Sequence, residues 1–166
     1  YNFLVAAENL NPNVDLYRSD LAQTNLALAN AIASARAPSE ASPSGSLTDE
    51  DRVQIQQLMQ QAIREAQIAT ALNPRNSINF EILANIYRQL TGVAQDALVF
   101  ALNAYGGAVR LDPTNPLLRF QIGSIYLSAK NYDLAIRFFQ DAINLKPDFA
   151  NAYYNLSVAL RDKGDL

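Results

Sequence analysis

The chain is 166 residues long and 49% hydrophobic, enough for one domain or a stack of short repeats around an ordinary core, which excludes disorder throughout. Thirteen Lys and Arg against sixteen Asp and Glu leave a net charge of −3 with both signs scattered, so no basic stripe tracks phosphates and nucleic acid is not an expected partner. Cys and His are absent, removing disulfides, thiolate chemistry, imidazole bases and the commonest zinc and haem ligands, and no run approaches the roughly 18 apolar residues of a membrane span.

The redox compartment therefore stays open, and no positively charged leader precedes an apolar segment. A start at Tyr1 rather than Met hints at a piece cut from something longer. The expected location is soluble, with the cytoplasm favoured and a tether through a missing N-terminal region as the alternative.

A ladder of Asn-Pro, Asp-Pro or Lys-Pro endings punctuates the chain at Pro12, Pro74, Pro113 and Pro147, with spacings of 62, 39 and 34 residues. Residues 1–14 read as the tail of a second helix, with Leu4, Ala7 and Leu10 on its apolar face and its first helix placed before Tyr1. Asp15 begins a first helix that carries Leu21-Ala22 and Asn25, and an Ala-rich continuation extends it to about Ala35. The stretch from Ala37 to Ser46 has no apolar period and two prolines, which predicts a mobile loop, either a tolerated surface insertion or a binding element. Helix resumes at Thr48, an N-cap with Asp51 three residues on. Ala62, Ala66 and Ala69 then mark a second helix that ends at Pro74.

Residues 77–115 carry Phe80-x2-Leu83-Ala84-x2-Tyr87 and then Ala101-x3-Tyr105, Ala108 and Pro113. Five extra residues around Gly92 to Ala97 predict an added helical turn near the hairpin tip. Gly106-Gly107 inside the second helix costs about 1 kcal/mol per glycine relative to alanine, which points to close backbone approach by a neighbouring helix or to a kink. Residues 116–149 carry Arg119-x2-Ile122-Gly123-x2-Tyr126, then Ala135-x3-Phe139, Ala142 and Pro147. Two antiparallel helices cross closely only where a side chain is small, and Gly123 and Ala135 supply those points, with Tyr126 and Phe139 filling the space around them. Asn131 and Asp133 give turn and cap chemistry. Residues 150–166 give one more first helix, with Tyr153, Leu156, Ser157 and Leu160, then Gly164 and Asp165 where a turn belongs.

This order of side chains resembles the tetratricopeptide repeat, whose roughly 34-residue pattern opens with Trp, then Leu-Gly and Tyr, and continues with Ala, Phe, Ala and Pro. In residues 116–149 only the Trp is missing, with Arg119 in its place. The resemblance covers nearly the whole chain outside residues 36–48 and implies an all-α, right-handed superhelical α-solenoid of helix-turn-helix repeats. It divides the chain into the end of a truncated repeat (1–14), a repeat with an insertion at about 36–48 (15–76), a repeat with a short insertion (77–115), a regular repeat (116–149) and the first helix of a truncated repeat (150–166). The long Ser/Pro insertion and irregular second repeat also look similar to the soluble C-terminal portions of bacterial O-antigen-ligase-like membrane proteins, which would place any catalysis in a membrane part.

The tetratricopeptide resemblance further implies that first helices line a concave groove for a protein or peptide partner. The matching positions are Leu16, Ser19, Asp20, Gln23, Leu26 and Ala27 in the first full repeat and Ile78, Glu81, Ile82, Asn85, Arg88 and Gln89 in the next. They continue with Leu117, Phe120, Gln121, Ser124, Leu127 and Ser128, and with Asn151, Tyr154, Asn155, Val158, Arg161 and Asp162. Among these, Glu81, Asn85, Arg88, Phe120, Gln121, Ser124, Leu127, Tyr154, Asn155 and Val158 are the candidate peptide-groove residues. The amides of Asn85, Gln121 and Asn155 suit an extended backbone, and Phe120, Leu127 and Tyr154 offer apolar contact. The family's clamp for C-terminal carboxylates needs basic residues where Ser19, Leu117 and Gln121 stand, so that mode is not expected.

No catalytic constellation is present: there is no Gly-rich phosphate loop, no G-x-S-x-G and no pair of metal-ligand motifs. Asp49, Glu50 and Asp51 cluster where a helix start favours acids, so no metal or other cofactor is expected. Asn155-Leu156-Ser157 has the composition of a glycosylation acceptor but falls on a predicted helix. Three functions follow as expectations: a peptide-binding scaffold, a structural spacer that self-associates through its open ends, and, least favoured without His or Cys, an enzyme. Self-association would draw on Leu156 and Leu160, which lack a covering helix, at about 1.5 to 3 kcal/mol per buried leucine.

Overall fold

The computed structural model describes residues 1–35, 47–91 and 94–164. The Ser/Pro-rich stretch from Ala37 to Ser46 expected as a loop lies outside these residues, as do Gly92 and Asp165. The described residues are all-α, with eight helices and no strand, in two compact units, Tyr1–Pro74 and Arg75–Leu166.

The first unit holds α1 (Asn2–Leu10), α2 (Asp15–Ala35) and α3 (Asp49–Leu72), with α2 and α3 forming a hairpin and α1 lying on α2. Thr48 starts α3 through a capping box: its hydroxyl accepts from the Asp51 amide at 3.1 Å, and the Asp51 carboxylate accepts from the Thr48 amide at 3.0 Å. Two orphan donors of the first turn are thereby satisfied. The interface of α2 with α3 is lined by small side chains, with Ala22, Ala62, Ala66 and Ala69 fully buried. Close approach leaves little room, and the smaller Asn25, rather than a tyrosine, is buried there.

The second unit holds α4 (Ser77–Gln89), α5 (Ala97–Leu111), α6 (Pro116–Ser128), α7 (Tyr132–Leu145) and α8 (Ala150–Lys163). Helices α4 and α5 pair, α6 and α7 pair, and α8 packs on α7 and on α6. One core cluster joins Ala84 of α4, Ala101, Tyr105 and Ala108 of α5, and Leu118, Ile122 and Ile125 of α6. A second joins Ala135 and Phe139 of α7 to Ala159 of α8, with Leu156 partly buried against it. The expectation of an uncovered Leu156 is thus corrected: this side chain contributes to the cluster, because one side of α8 already faces α7.

Four helices end in the same way. Asn11, Asn73, Asp112 and Lys146 each donate a backbone N–H to the carbonyl four residues back, and each precedes a proline. Their φ, ψ values are −144, 81; −134, 81; −132, 76; and −140, 93. Proline forces the residue before it out of the helical region, so the stop is written into the local sequence. The next helix begins on a side-chain cap in two of these places: Asn76 accepts from Ile78 at 3.1 Å and Asn115 from Leu117 at 3.0 Å.

The glycines find different neighbours from those expected. A Cβ on Gly107 would lie 2.7 Å from the Phe80 ring, and one on Gly123 2.8 Å from the Phe139 ring. An aromatic ring laid on the opposite helix, not a second backbone, requires the missing side chain. Gly106 would meet only Arg110, at 3.8 Å, and α5 runs unbroken through both glycines. The inserted residues between α4 and α5 add no helical turn among those described: α4 and α6 are both 13 residues long, and Asp96 enters α5 with φ of 60°.

Candidate peptide-binding face

All ten candidate groove residues lie in the second unit, on α4, α6 and α8. On α4 the spacing of Glu81, Asn85 and Arg88 sets them along one face of the helix. Behind them stands Tyr105 of α5, fully buried as a residue, whose hydroxyl donates to Asn85 Oδ1 at 2.7 Å. Burial pushes the Tyr105 phenol above its ordinary range, and the Arg88 guanidinium beside it offsets part of that. The Glu81 carboxyl is likewise raised, first by burial and then by the charge of Asp112. Asp112 is in turn held by the Asn115 amide at 3.1 Å. The sequence pattern assigns Tyr105 to core filling alone. Its role in orienting Asn85 escapes that pattern, and the only signal for it is a phenol where the next hairpin has Phe139.

Arg88 and Ser124 are brought together. They line one recess of about 110 Å³ with Thr91, Leu98, Ile125 and Ser128, where α4, α5 and α6 meet. Arg88 Nε is buried and has no hydrogen-bond partner among the described residues. The three hydroxyls each donate to a helix carbonyl: Thr91 to Arg88 at 2.7 Å, Ser124 to Phe120 at 3.0 Å and Ser128 to Ser124 at 3.0 Å. Their lone pairs stay available as acceptors, so the recess offers one buried donor and several acceptors.

Other candidates are differently placed. Phe120 is half-buried, its ring 5.8 Å from that of Phe139 and 5.1 Å from that of Phe149, and Leu127 packs on the same cluster. Both therefore contribute to the core between α6, α7 and α8. Gln121 and Val158 are half-buried. Asn155 donates its amide to the Asn151 carbonyl at 2.9 Å, which leaves its oxygen free to accept. Tyr154 is 70% exposed and is the open aromatic of the set. Of the wider group, Ser19 and Ile82 are buried and line no surface, whereas Ile78 and Leu117 are exposed. Among the described residues no group of His, Cys, Asp and Glu could hold a metal, and no helix is long and apolar enough to cross a membrane.

Antiparallel helix pairs, each with a second helix that stops at a proline, and in the second unit packed one on the next, define a helical-repeat protein of the α-solenoid class. Within that class, residues 123–164 match the family model described as a TPR repeat. The family match over those residues and the fold together support a tetratricopeptide repeat protein. It is similar to the tetratricopeptide repeat and J domain-containing co-chaperone DNJ1 of Cryptococcus neoformans var. grubii, at 31% identity over 85 residues, covering 51% of this chain and 16% of that protein. This chain thus matches well under a fifth of that relative's length. Among solved structures it resembles TTC0263, a thermophilic TPR protein in Thermus thermophilus, with a TM-score of 0.72, 18% identity, and 95% of this chain and 70% of that one covered. It also resembles the first TPR of Spaghetti (RPAP3), solved bound to an HSP90 peptide, with a TM-score of 0.57, 14% identity, and 88% and 95% covered.

Proposed function

We propose that this chain is a protein-interaction scaffold and that the faces of α4, α6 and α8 receive an extended segment of a protein partner. The repeats run, on this proposal, over residues 15–76, 77–115 and 116–149, with half-repeats at 1–14 and 150–166. The observation that carries the reading is Arg88: a buried Nε without a protein acceptor, at the edge of a recess shared by two hairpins. A buried donor left unmet costs about 1 to 3 kcal/mol, which a backbone carbonyl of a bound peptide would offset. Asn85, one turn before Arg88 on α4, has its oxygen held by the Tyr105 hydroxyl and keeps its amide hydrogens to donate, and Tyr154 on α8 offers an exposed aromatic surface. The similar first TPR of Spaghetti was solved bound to an HSP90 peptide, which supports a peptide as the kind of partner.

We propose no reaction for these residues. The test is selection of binding peptides from a displayed library with residues 1–166, followed by titration of the best binder against Arg88→Met, Asn85→Ala and Tyr154→Ala. Each substitution is expected to weaken binding about tenfold or more, given hot-spot costs of about 2 kcal/mol. Unchanged affinity in all three would remove this face from the account, provided Asp141→Ala, outside the ten candidates, also leaves binding unchanged.

A further inference from the structure

The recess where α4, α5 and α6 meet is lined by polar and apolar groups together. Arg88 and Thr91 at the end of α4, with Ser124 and Ser128 of α6, supply the polar groups; Leu98 of α5 and Ile125 of α6 supply the apolar ones. The three hydroxyl protons are committed, because a carbonyl can only accept. Thr91 donates to Arg88 at 2.7 Å, Ser124 to Phe120 at 3.0 Å and Ser128 to Ser124 at 3.0 Å. What these hydroxyls turn to a ligand is therefore oxygen lone pairs. Arg88 supplies the opposite group: among the described residues, Nε is the one nitrogen of its guanidinium that is buried without a hydrogen-bond partner.

One donor beside several acceptors excludes most ligand heads. A carboxylate accepts from Nε but sets its second oxygen against hydroxyl oxygens, with no proton between them. An ammonium donates to the hydroxyls but brings a like charge to Arg88 and leaves Nε unmet. A backbone amide carries both kinds of group, yet the trans peptide points its C=O and N–H to opposite sides, so one recess receives only one of them. A primary carboxamide holds an acceptor oxygen and two N–H donors at one end of a planar group. Its oxygen suits Nε, its amino group suits the hydroxyl oxygens, and a methylene stem suits Leu98 and Ile125.

Resting on the peptide-binding reading above, we infer that the recess is a carboxamide pocket, which selects an Asn or Gln side chain of the bound segment through Arg88 Nε and the hydroxyl oxygens of Thr91, Ser124 and Ser128. Its selectivity comes from the direction of the hydroxyl protons, fixed by helix carbonyls, rather than from charge.

The test uses three probes of similar size that differ in the head group: propanamide, propanoate and propylammonium. Each is titrated into the 1–166 polypeptide while the Arg88 Nε–H resonance is followed by NMR. Propanamide is expected to move that resonance saturably and to bind at least about tenfold more tightly than either charged probe, because a site built on hydrogen bonds rejects an analogue that leaves them unpaired. Ser124→Ala removes one acceptor and is expected to lower the preference for propanamide over propanoate about fivefold, with circular dichroism checking that the variant stays folded. In the peptide arm, each Asn or Gln of the best displayed-library binder is replaced by Glu. At one position the change is expected to weaken binding about tenfold in the wild type and by less in Ser124→Ala. Peptides that bind through Arg88 without such a position, or propanoate bound as tightly as propanamide, would overturn the carboxamide pocket and leave the scaffold reading standing. A recess that prefers propanamide while no displayed peptide is retained would instead overturn the peptide reading, and the partner's Asn or Gln with it.

Discussion

The hairpins of α2 with α3 and α6 with α7 share a fold but solve two problems differently. At the helix crossing, the first sets alanine against alanine, with Ala22, Ala62, Ala66 and Ala69 all buried, whereas the second lays the Phe139 ring on Gly123. Where the repeat pattern calls for tryptophan, both carry arginine, but with unequal partners. Arg18 Nη1 lies 2.6 Å from both Glu8 and Glu65, tying α1, α2 and α3 with three mostly buried side chains. Arg119 donates Nη2 to the Pro113 carbonyl at 3.2 Å, as Arg18 does with Nε to Pro12 at 3.4 Å, while its buried Nη1 meets no partner among the described residues. A repeat pattern therefore fixes which places must be filled, not by what. The chemistry of filling depends on helices that the pattern does not link.

The comparison is broken most forcefully at its aromatic side. Phe139→Ala removes a fully buried ring from α6, α7 and α8 and is expected to cost about 3 to 5 kcal/mol, read as a fall in the urea midpoint. Arg18→Met comes next, at about 2 to 3 kcal/mol, because two mostly buried carboxylates lose their shared cation. Arg119→Met sharpens the contrast. It keeps the apolar stem and deletes an unmet donor together with one exposed bond to the Pro113 carbonyl, so its stability should stay within about 1 kcal/mol of wild type by the same measurement. If both arginines proved equally costly, the carboxylates would not be what distinguishes them.

Glycines give a finer discrimination. Gly123→Ala drives a methyl into a ring that has nowhere to move and should destabilise by about 1 to 3 kcal/mol despite better helix propensity. Gly106→Ala meets only the Arg110 side chain, at an ordinary van der Waals distance of 3.8 Å, and should stabilise by about 0.5 to 1 kcal/mol. The smallest effect concerns Glu81. A carboxyl whose folded pKa lies above its unfolded one holds more protons when folded, so its contribution to stability falls as pH rises through that window. Glu81→Gln should therefore raise the melting temperature slightly at neutral pH, and the gain should shrink as the pH is lowered into the range where free carboxylates protonate.

Much of the fold was legible because it is written locally. The capping box at Thr48, the stops before each proline and the small residues at Ala62, Ala66, Gly123 and Ala135 depend on neighbours within one hairpin. What escaped depends on distance in sequence or on side-chain direction. Glu8 and Glu65 meet at Arg18 from helices on either side of it. Phe120 has the spacing of a groove residue, yet its rotamer sends the ring to Phe139 and Phe149, a choice spacing alone does not set. Of the candidate site, the series Glu81, Asn85 and Arg88 follows from helical period. The phenol of Tyr105 that orients Asn85 and the recess beside Ser124 arise only where separate helices meet.

The four residues that stop their helices before a proline have a consequence for how such a chain tolerates change. Each acts as a fixed elbow set by stereochemistry rather than by tertiary contact, so mutating a helix face leaves the bend intact. Replacing the proline frees the elbow to coil onward and swings whatever follows. Errors in the faces should thus loosen a joint that keeps its angle, and errors in the prolines should keep tight joints that point the wrong way.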